Sequence, residues 1–288
     1  MPNGALNSRN TRRRTLIVAM VLVIVTTMIP ANASAQELSP VEAAARKAAD
    51  PLGNVKALMT DNTIAFKAGG DENDTTFAFQ LQPVYAIPNK TKFNMIARAV
   101  LPIIGIEAGA VAPPIGWEPR PEDGSKWGIS DTIVQYFFSP KAEGSFKWGI
   151  GPMVSLKTHT SDRTAGPGWG GGVAGVVFGG SGQWSYGAIV MQLWGEDDFS
   201  TFTIQPIVMY MLQSMPGAYI GYNNAITYNP KSETDDQWAV PLGLTFGKAV
   251  VKKNGDFWDL SVGAYPLVVR PEGAPSWQLK LGVNYFFD

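Results

Sequence analysis

A strictly alternating row of side chains near the C-terminus limits what this chain can fold into. In SWQLKLGVNYFF (276–287), Trp277, Leu279, Leu281, Val283, Tyr285 and Phe287 fall on one face of an extended strand. Gln278, Lys280, Gly282 and Asn284 fall on the other. Successive side chains of a strand point to opposite faces, so this is period-two amphipathicity with an aromatic at each end of the apolar row. A soluble sandwich strand carries such a pattern. So does a membrane-barrel strand, with apolar residues toward lipid and aromatics at the interfaces.

The same alternation recurs upstream. Phe77, Phe79, Leu81, Pro83 and Tyr85 oppose Ala78, Gln80, Gln82 and Val84, and Phe93, Met95, Ala97, Ala99 and Leu101 oppose Asn94, Ile96, Arg98 and Val100. Trp238, Val240, Leu242, Leu244 and Phe246 oppose Ala239, Pro241, Gly243, Thr245 and Gly247. About twelve strands follow, near 63–68, 75–86, 92–103, 126–138, 146–157, 168–179, 183–194, 200–213, 218–229, 236–248, 257–267 and 276–287. Their lengths approach what a tilted membrane strand needs. Segments 126–138 and 183–194 alternate poorly, and their faces stay open.

The N-terminus supplies an export signal. Arg12, Arg13 and Arg14 precede an apolar run from Leu16 to Val25, and Ala33-Ser34-Ala35 follows. A basic region, a short apolar core and an A-x-A site read as a secretory signal peptide over residues 1–35. The run is shorter than the ~20 residues of a spanning helix. No later stretch approaches that length, so membrane insertion of the mature chain requires a closed barrel. Residues 36–62 read as an N-terminal helical segment, periplasmic or lumenal. Within it Ser39, Pro40 and Glu42 suit an N-cap, a first-turn proline and a capping acid, and Pro51 and Gly53 break the helix. Residues 63–288 read as the barrel.

Charge separates the connectors into two sets. With the mature N-terminus in the periplasm, odd-numbered connections lie outside. They hold fifteen acids, from Asp71 and Glu72 through Glu196, Asp197 and Asp198 to Glu272, against Arg120, Arg163, Lys231 and Arg270. The even-numbered turns hold Lys90, Lys92, Lys141, Lys248, Lys252 and Lys253 against Glu143 and Asp256. The odd set also includes the longest connector, 104–125, and long external loops over short periplasmic turns are the rule for outer-membrane barrels. Of 23 Lys and Arg and 24 Asp and Glu, four arginines and no acids fall in the first 35 residues, so the mature net charge is −5. That disfavours a nucleic-acid partner, which would select a basic patch.

The stretches KWGISDTIVQYFFSPK (126–141), KWGIGPMVSL (147–156), WSYGAIVMQLW (184–194), TIQPIVMYML (203–212) and WAVPLGLTFGK (238–248), with 276–287, resemble a family of bacterial outer-membrane transporters that often carries the label neuromedin U. They are also similar to the barrels grouped under the MetA pathway of phenol degradation. DPLGNVKAL (50–58) and LQPVYAIPNKTKFNMIARAVLPI (81–103) resemble that family's N-terminal block. The resemblance implies an antiparallel up-and-down transmembrane β-barrel in the bacterial outer membrane. Outer-membrane lipids, lipopolysaccharide and the barrel assembly machinery would be its partners. One departure is Asp288, which follows Phe287 where an assembly signal ends on an aromatic.

Reactive chemistry finds little support. His159, the one histidine, lies in a loop stretch with Ser155 and Ser161 nearby, a pairing that would suit imidazole activation of a hydroxyl. A solvated loop histidine is the plainer reading. With one His and no Cys there is no disulfide framework and no credible transition-metal site, and no cofactor is expected. Gly170 to Gly175 satisfy G-x-G-x-x-G, but a strand follows rather than the required helix. They read as small wall residues leaving room for lumen side chains or for the N-terminal helix. The nine tryptophans, Trp117 among them, mostly fall near strand ends, as in interfacial girdles.

Function therefore points to the lumen. Gln80, Gln82, Arg98, Asp131, Gln205 and Lys280 are the candidate solute-facing groups, since charge at membrane depth is costly unless it faces water or a partner. Counting from the proposed strand ends puts Arg98 and Asp131 near mid-height on adjacent strands, where a pair across the lumen wall would either serve the passage or only neutralise a plugged interior. The expectation is a channel passing small solutes by passive diffusion, hydrophobic or aromatic ones if the phenol-pathway resemblance holds. The alternative is a non-conducting structural or adhesion barrel, which a lumen closed by residues 38–59 and ion pairs would favour.

Overall fold

Alternating side chains become one antiparallel sheet closed on itself. In the computed structural model residues 38–68, 71–107, 125–141, 146–233 and 236–287 are described. The expected signal peptide, Trp117 and most of connector 104–125 lie outside them. The strands are β1 (Lys56–Ala68), β2 (Asp74–Ile87), β3 (Phe93–Ile106), β4 (Lys126–Ile129), β5 (Thr132–Pro140), β6 (Phe146–Leu156), β7 (Gly170–Ser181) and β8 (Trp184–Trp194). They continue as β9 (Ser200–Met211), β10 (Ala218–Asn223), β11 (Ile226–Tyr228), β12 (Trp238–Pro241), β13 (Leu244–Val251), β14 (Phe257–Val269) and β15 (Trp277–Phe287). Neighbours pair around the sheet, and β15 returns to β1 with Leu58 opposite Tyr285 and Phe66 opposite Trp277. The segments β4–β5, β10–β11 and β12–β13 are each one wall strand with a break, so the barrel has twelve walls.

Each break has a local cause. At Ser130-Asp131 the neighbouring wall presents Pro102, which has no N–H to donate, and only the Ser130 N–H reaches the Pro102 carbonyl (2.9 Å). Asn224 turns its own side chain back, its Oδ1 accepting from the Ala225 N–H at 2.8 Å. At Leu242-Gly243 prolines flank the break, Pro241 on one wall and Pro266 on the next.

The first break explains why 126–138 alternates poorly. Trp127 and Ile129 point outward, Ser130 and Asp131 are both buried, and Tyr136 and Phe138 then take the outer face. Two successive residues on the inner side amount to one extra residue in the strand, and a one-residue shift exchanges the faces of everything beyond it. In 183–194 the alternation survives, but Ile189 and Leu193 on the inner face are as apolar as Val190 and Trp194 on the outer one. The third break also moves Val240, expected beside Leu242 and Leu244, into a buried cluster with Ile226 and Val269.

The outer surface is a continuous apolar band, with Leu81, Leu101, Ile150, Val154, Leu244, Leu260 and Val262 exposed. Aromatics rim it at both ends. Trp127, Trp169, Trp194 and Trp277 lie at the end carrying the long loops, and Tyr85, Phe93, Phe146, Trp148 and Trp258 at the end carrying the short turns. Side chains that would be an exposed apolar patch in water become the solvated face in lipid.

Inside the turn end sits the helix α1 (Pro40–Ala49). Ser39 and Glu42 form a capping box: the Glu42 N–H donates to Ser39 Oγ (3.4 Å), and Glu42 Oε2 accepts from the Ser39 N–H (2.9 Å). The helix ends at Asp50, whose Oδ1 accepts from the Leu52 N–H at 2.9 Å before Pro51 turns the chain. Its narrow face, Ala44 and Ala45, is buried with Leu52 and Val55 against wall residues including Phe137, Phe178, Ile189, Phe257 and Phe286. Glycine makes the close approach possible, because a Cβ at Gly149 would lie 2.8 Å from Leu52 and one at Gly180 2.8 Å from Arg46. Of the two roles expected for the glycines within 170–175, room for the helix is not what they provide: a Cβ there would meet neighbouring wall backbone or nothing, and none would meet α1.

The helical segment is shorter than 36–62, and β1 begins at Lys56 rather than Thr63. Thr60 and Asn62 hide it by occupying outward positions. They are satisfied there by β15, since Thr60 Oγ1 donates to the Val283 carbonyl (3.1 Å) and Asn62 Nδ2 to the Leu281 carbonyl (3.1 Å).

Candidate functional site: a two-chambered lumen

Inward-facing described residues line a cavity of about 150 Å³ toward the turns and another of about 130 Å³ toward the loops. Asp61, Gln82, Arg98, Gln205 and Lys280 line both and form a polar waist between them. These residues come from β1, β2, β3, β9 and β15. On each strand they occupy the inner row, because the outer row is committed to lipid.

The waist is hydrogen-bonded. Arg98 Nη2 donates to Gln82 Oε1 (2.5 Å), and Gln82 Nε2 donates to Gln80 Oε1 (2.8 Å). Lys280 Nζ lies 2.9 Å from the Asp61 carboxylate and 3.4 Å from Asn224 Oδ1. Gln205 Nε2 donates to Asn223 Oδ1 at 2.7 Å. Below the waist, Tyr219 and Asn284 donate to the two oxygens of Asp259, each at 3.0 Å. Ala48, Ala49, Asp50 and Pro51 line the turn-side chamber, so α1 forms part of its boundary. Lys147 on β6 holds Asp50 at 2.5 Å, and Arg46 reaches Ser185 Oγ (3.1 Å) and the Gly182 carbonyl (2.5 Å).

Four of the six expected groups, Gln82, Arg98, Gln205 and Lys280, meet at this waist, and Gln80 lines the loop-side chamber. Asp131 does not. Its carboxylate is fully buried outside both chambers. Oδ1 accepts from the Thr158 N–H (3.0 Å), the His159 N–H (3.1 Å) and His159 Nδ1 (2.7 Å), and Oδ2 from the N–H groups of Gly166 (2.8 Å) and Gly168 (2.7 Å). The expected Arg98–Asp131 pair is therefore absent. The break at 130–131 and the loop donors turn Asp131 into the anchor of the β6–β7 connection.

The same geometry corrects His159, whose side chain is 14% exposed and bound to Asp131 rather than free in solvent. Ser161 Oγ accepts from the Arg163 N–H and opens a short 3-10 turn over Asp162–Thr164. Asp61, the acid of the waist, is hidden in the sequence because it lies in the part of β1 that reads as the helical segment 36–62. The inward spacing of Met59, Asp61 and Thr63 was its one available signal. Among the described residues no cluster of three or more His, Asp or Glu could hold a metal ion.

No family model matches the sequence, and no curated protein matches it. Among solved structures, the chain is similar to an outer membrane channel from Pseudomonas putida F1, with a TM-score of 0.58 and 11% identity over 90% of this chain and 100% of that one. The KdgM porin follows with a TM-score of 0.43 and 12% identity over 81% of this chain and 98% of that one. A major outer membrane protein from Thermus thermophilus gives a TM-score of 0.22 at 14% identity, over 80% of this chain and 99% of that one. At these identities the first likeness is one of fold, and the other two carry no argument.

Proposed function

We propose that this chain is a bacterial outer-membrane channel for small solutes, passing them by diffusion with steric and electrostatic selection at the waist. The carrying observation is the pair of chambers meeting at Asp61, Gln82, Arg98, Gln205 and Lys280 inside a closed barrel with a lipid-compatible exterior. Short basic turns and long acidic loops support placing the turn end, with α1, in the periplasm. Lipid and lipopolysaccharide then surround the apolar band, and export through a cleaved signal over residues 1–35 precedes insertion by the assembly machinery. The apolar half of the loop-side chamber, together with the phenol-pathway resemblance, supports hydrophobic or aromatic solutes.

One observation favours a non-conducting structural barrel instead: α1 occupies the turn end of the lumen, and Lys280 and Asp61 are paired within it. The helix is seated by Val41 and its alanines in the apolar cluster and by the contacts of Arg46 and Asp50 with the wall. Conductance of the refolded mature chain in a planar bilayer, compared with a form lacking residues 38–53, separates the two. A channel conducts, and conducts more without the helix. Silence in both forms would leave the structural barrel as the reading.

A further inference from the structure

We infer that the loop-side chamber is a binding site for a small organic carboxylate with a compact apolar body of about one aromatic ring. The inference rests on the lumen being the functional surface and names the class of solute it holds.

Half of this chamber is apolar, lined by Ile133, Met153, Met191, Leu193 and Phe199. The opposite side carries the waist. There Lys280 is neutralised by Asp61 at 2.9 Å, whereas Arg98 has no carboxylate within ion-pair distance among the described residues. Arg98 uses Nη2 on Gln82, and its Nε is buried with no hydrogen-bond partner among them. Directly across the sheet from Arg98 stands Gln135, 3% exposed, whose Nε2 meets Met191 Sδ at 3.2 Å while its Oε1 has no such partner.

Buried polar atoms in native proteins are almost always satisfied, so two orphans side by side on adjacent strands of one chamber wall need an explanation. A bound solute supplies it. A guanidinium edge matches a carboxylate through charge-assisted bonds, and the acceptor on Gln135 suits a hydroxyl carried by the same solute. The volume agrees as well: about 130 Å³ is close to the ~150 Å³ of an apolar cavity that admits benzene. An anion without an apolar body would leave the Met and Leu wall wetted, and a neutral ring would leave Arg98 unmet.

The test is calorimetric titration of the refolded mature chain in detergent micelles at neutral pH with benzoate, benzyl alcohol and acetate. Benzoate should bind at least about tenfold more tightly than either of the others, the range expected for one charged hydrogen-bonding contact. Arg98→Gln should abolish the advantage over benzyl alcohol, and Arg98→Lys should restore part of it. The compound 3-hydroxybenzoate should bind more tightly than benzoate, and Gln135→Leu should erase that difference. Benzoate no tighter than benzyl alcohol, or acetate equal to benzoate, overturns the site. So does a benzoate preference that persists in folded Arg98→Gln. If that variant does not refold, the ligand series on the wild type decides alone. Binding is read without conduction, so a silent bilayer with bound benzoate removes the channel and keeps the site, and a conducting barrel that ignores benzoate does the reverse.

Discussion

Asp131 gives both carboxylate oxygens to donors of a single connection, at 2.7 to 3.1 Å, so its removal strands four backbone N–H groups. Each buried donor left unpaired costs roughly 1–3 kcal/mol. Asp131→Ala should therefore loosen the segment 157–169, raise its protease sensitivity and lower the unfolding temperature, while ion selectivity stays as in the wild type. Waist residues should do the opposite. Removing the Arg98 charge leaves the passage more attractive to cations, and removing Asp61 frees Lys280 and favours anions. At ~4 Å a unit charge is worth about 1 kcal/mol even in water, or roughly fivefold in a permeability ratio. Reversal potentials in a salt gradient should thus move in opposite directions for Arg98→Gln and Asp61→Asn. No shift in either variant of a conducting barrel would remove the waist from the pathway. At this scale the sequence revealed which side chains face inward wherever strands run unbroken, which is why Gln82, Arg98, Gln205 and Lys280 were legible. It could not place Asp131, because height was counted along a strand that breaks at that residue.

Elements extend the same lesson. The alternation of β15 and β2 is readable because lipid demands an apolar outer row and the lumen tolerates polar atoms. It blurs in β8, whose inner row is also apolar, and in β1, where Thr60 and Asn62 face outward and are satisfied by the neighbouring strand. Helix α1 was legible from its cap, but its seat was not, since that depends on Gly149 and Gly180 lying opposite Leu52 and Arg46. The cap makes the helix acid-sensitive. Hydrogen bonds from the Ser39 side chain and backbone hold the Glu42 carboxyl below its ordinary range. A depressed carboxyl contributes stability above its unfolded value, ~4.3, and loses it as pH falls through the folded value. Conductance should therefore rise reversibly in strong acid. Ser39→Ala, which removes a cap worth ~1 kcal/mol, should raise it already at neutral pH. Acid-independent conductance in the wild type would mean that the cap does not govern the seating of α1.

The whole molecule is governed by closure. Among the described residues the twelve walls close where β15 pairs β1, so apart from the three breaks and the loop-end segment β4, which pairs only with β3, the wall ladders are satisfied within the barrel and the bilayer core can be crossed. The mature chain should accordingly resist detergent until boiled, and unheated and heated samples should migrate differently on electrophoresis. Wall number was legible because the bilayer sets both strand length and period. The division of the lumen into chambers was not, because it depends on which inner side chains meet across the interior. Closure also sorts the connectors. In an antiparallel barrel, successive connections alternate between ends, which places Asp198, in the β8–β9 loop, at one end and Lys253, in the β13–β14 turn, at the other. The acidic bias of the first end and the basic bias of the second motivate an external loop end. The chain has no cysteine of its own, so a single thiol reports its side of the membrane without background. Asp198→Cys should react with an impermeant maleimide on intact cells, and Lys253→Cys only after the outer membrane is breached. The reverse pattern would invert the barrel and put α1 at the cell surface. Labelling of both on intact cells would mean that the two ends do not face different compartments, and the outer-membrane placement would fall with it.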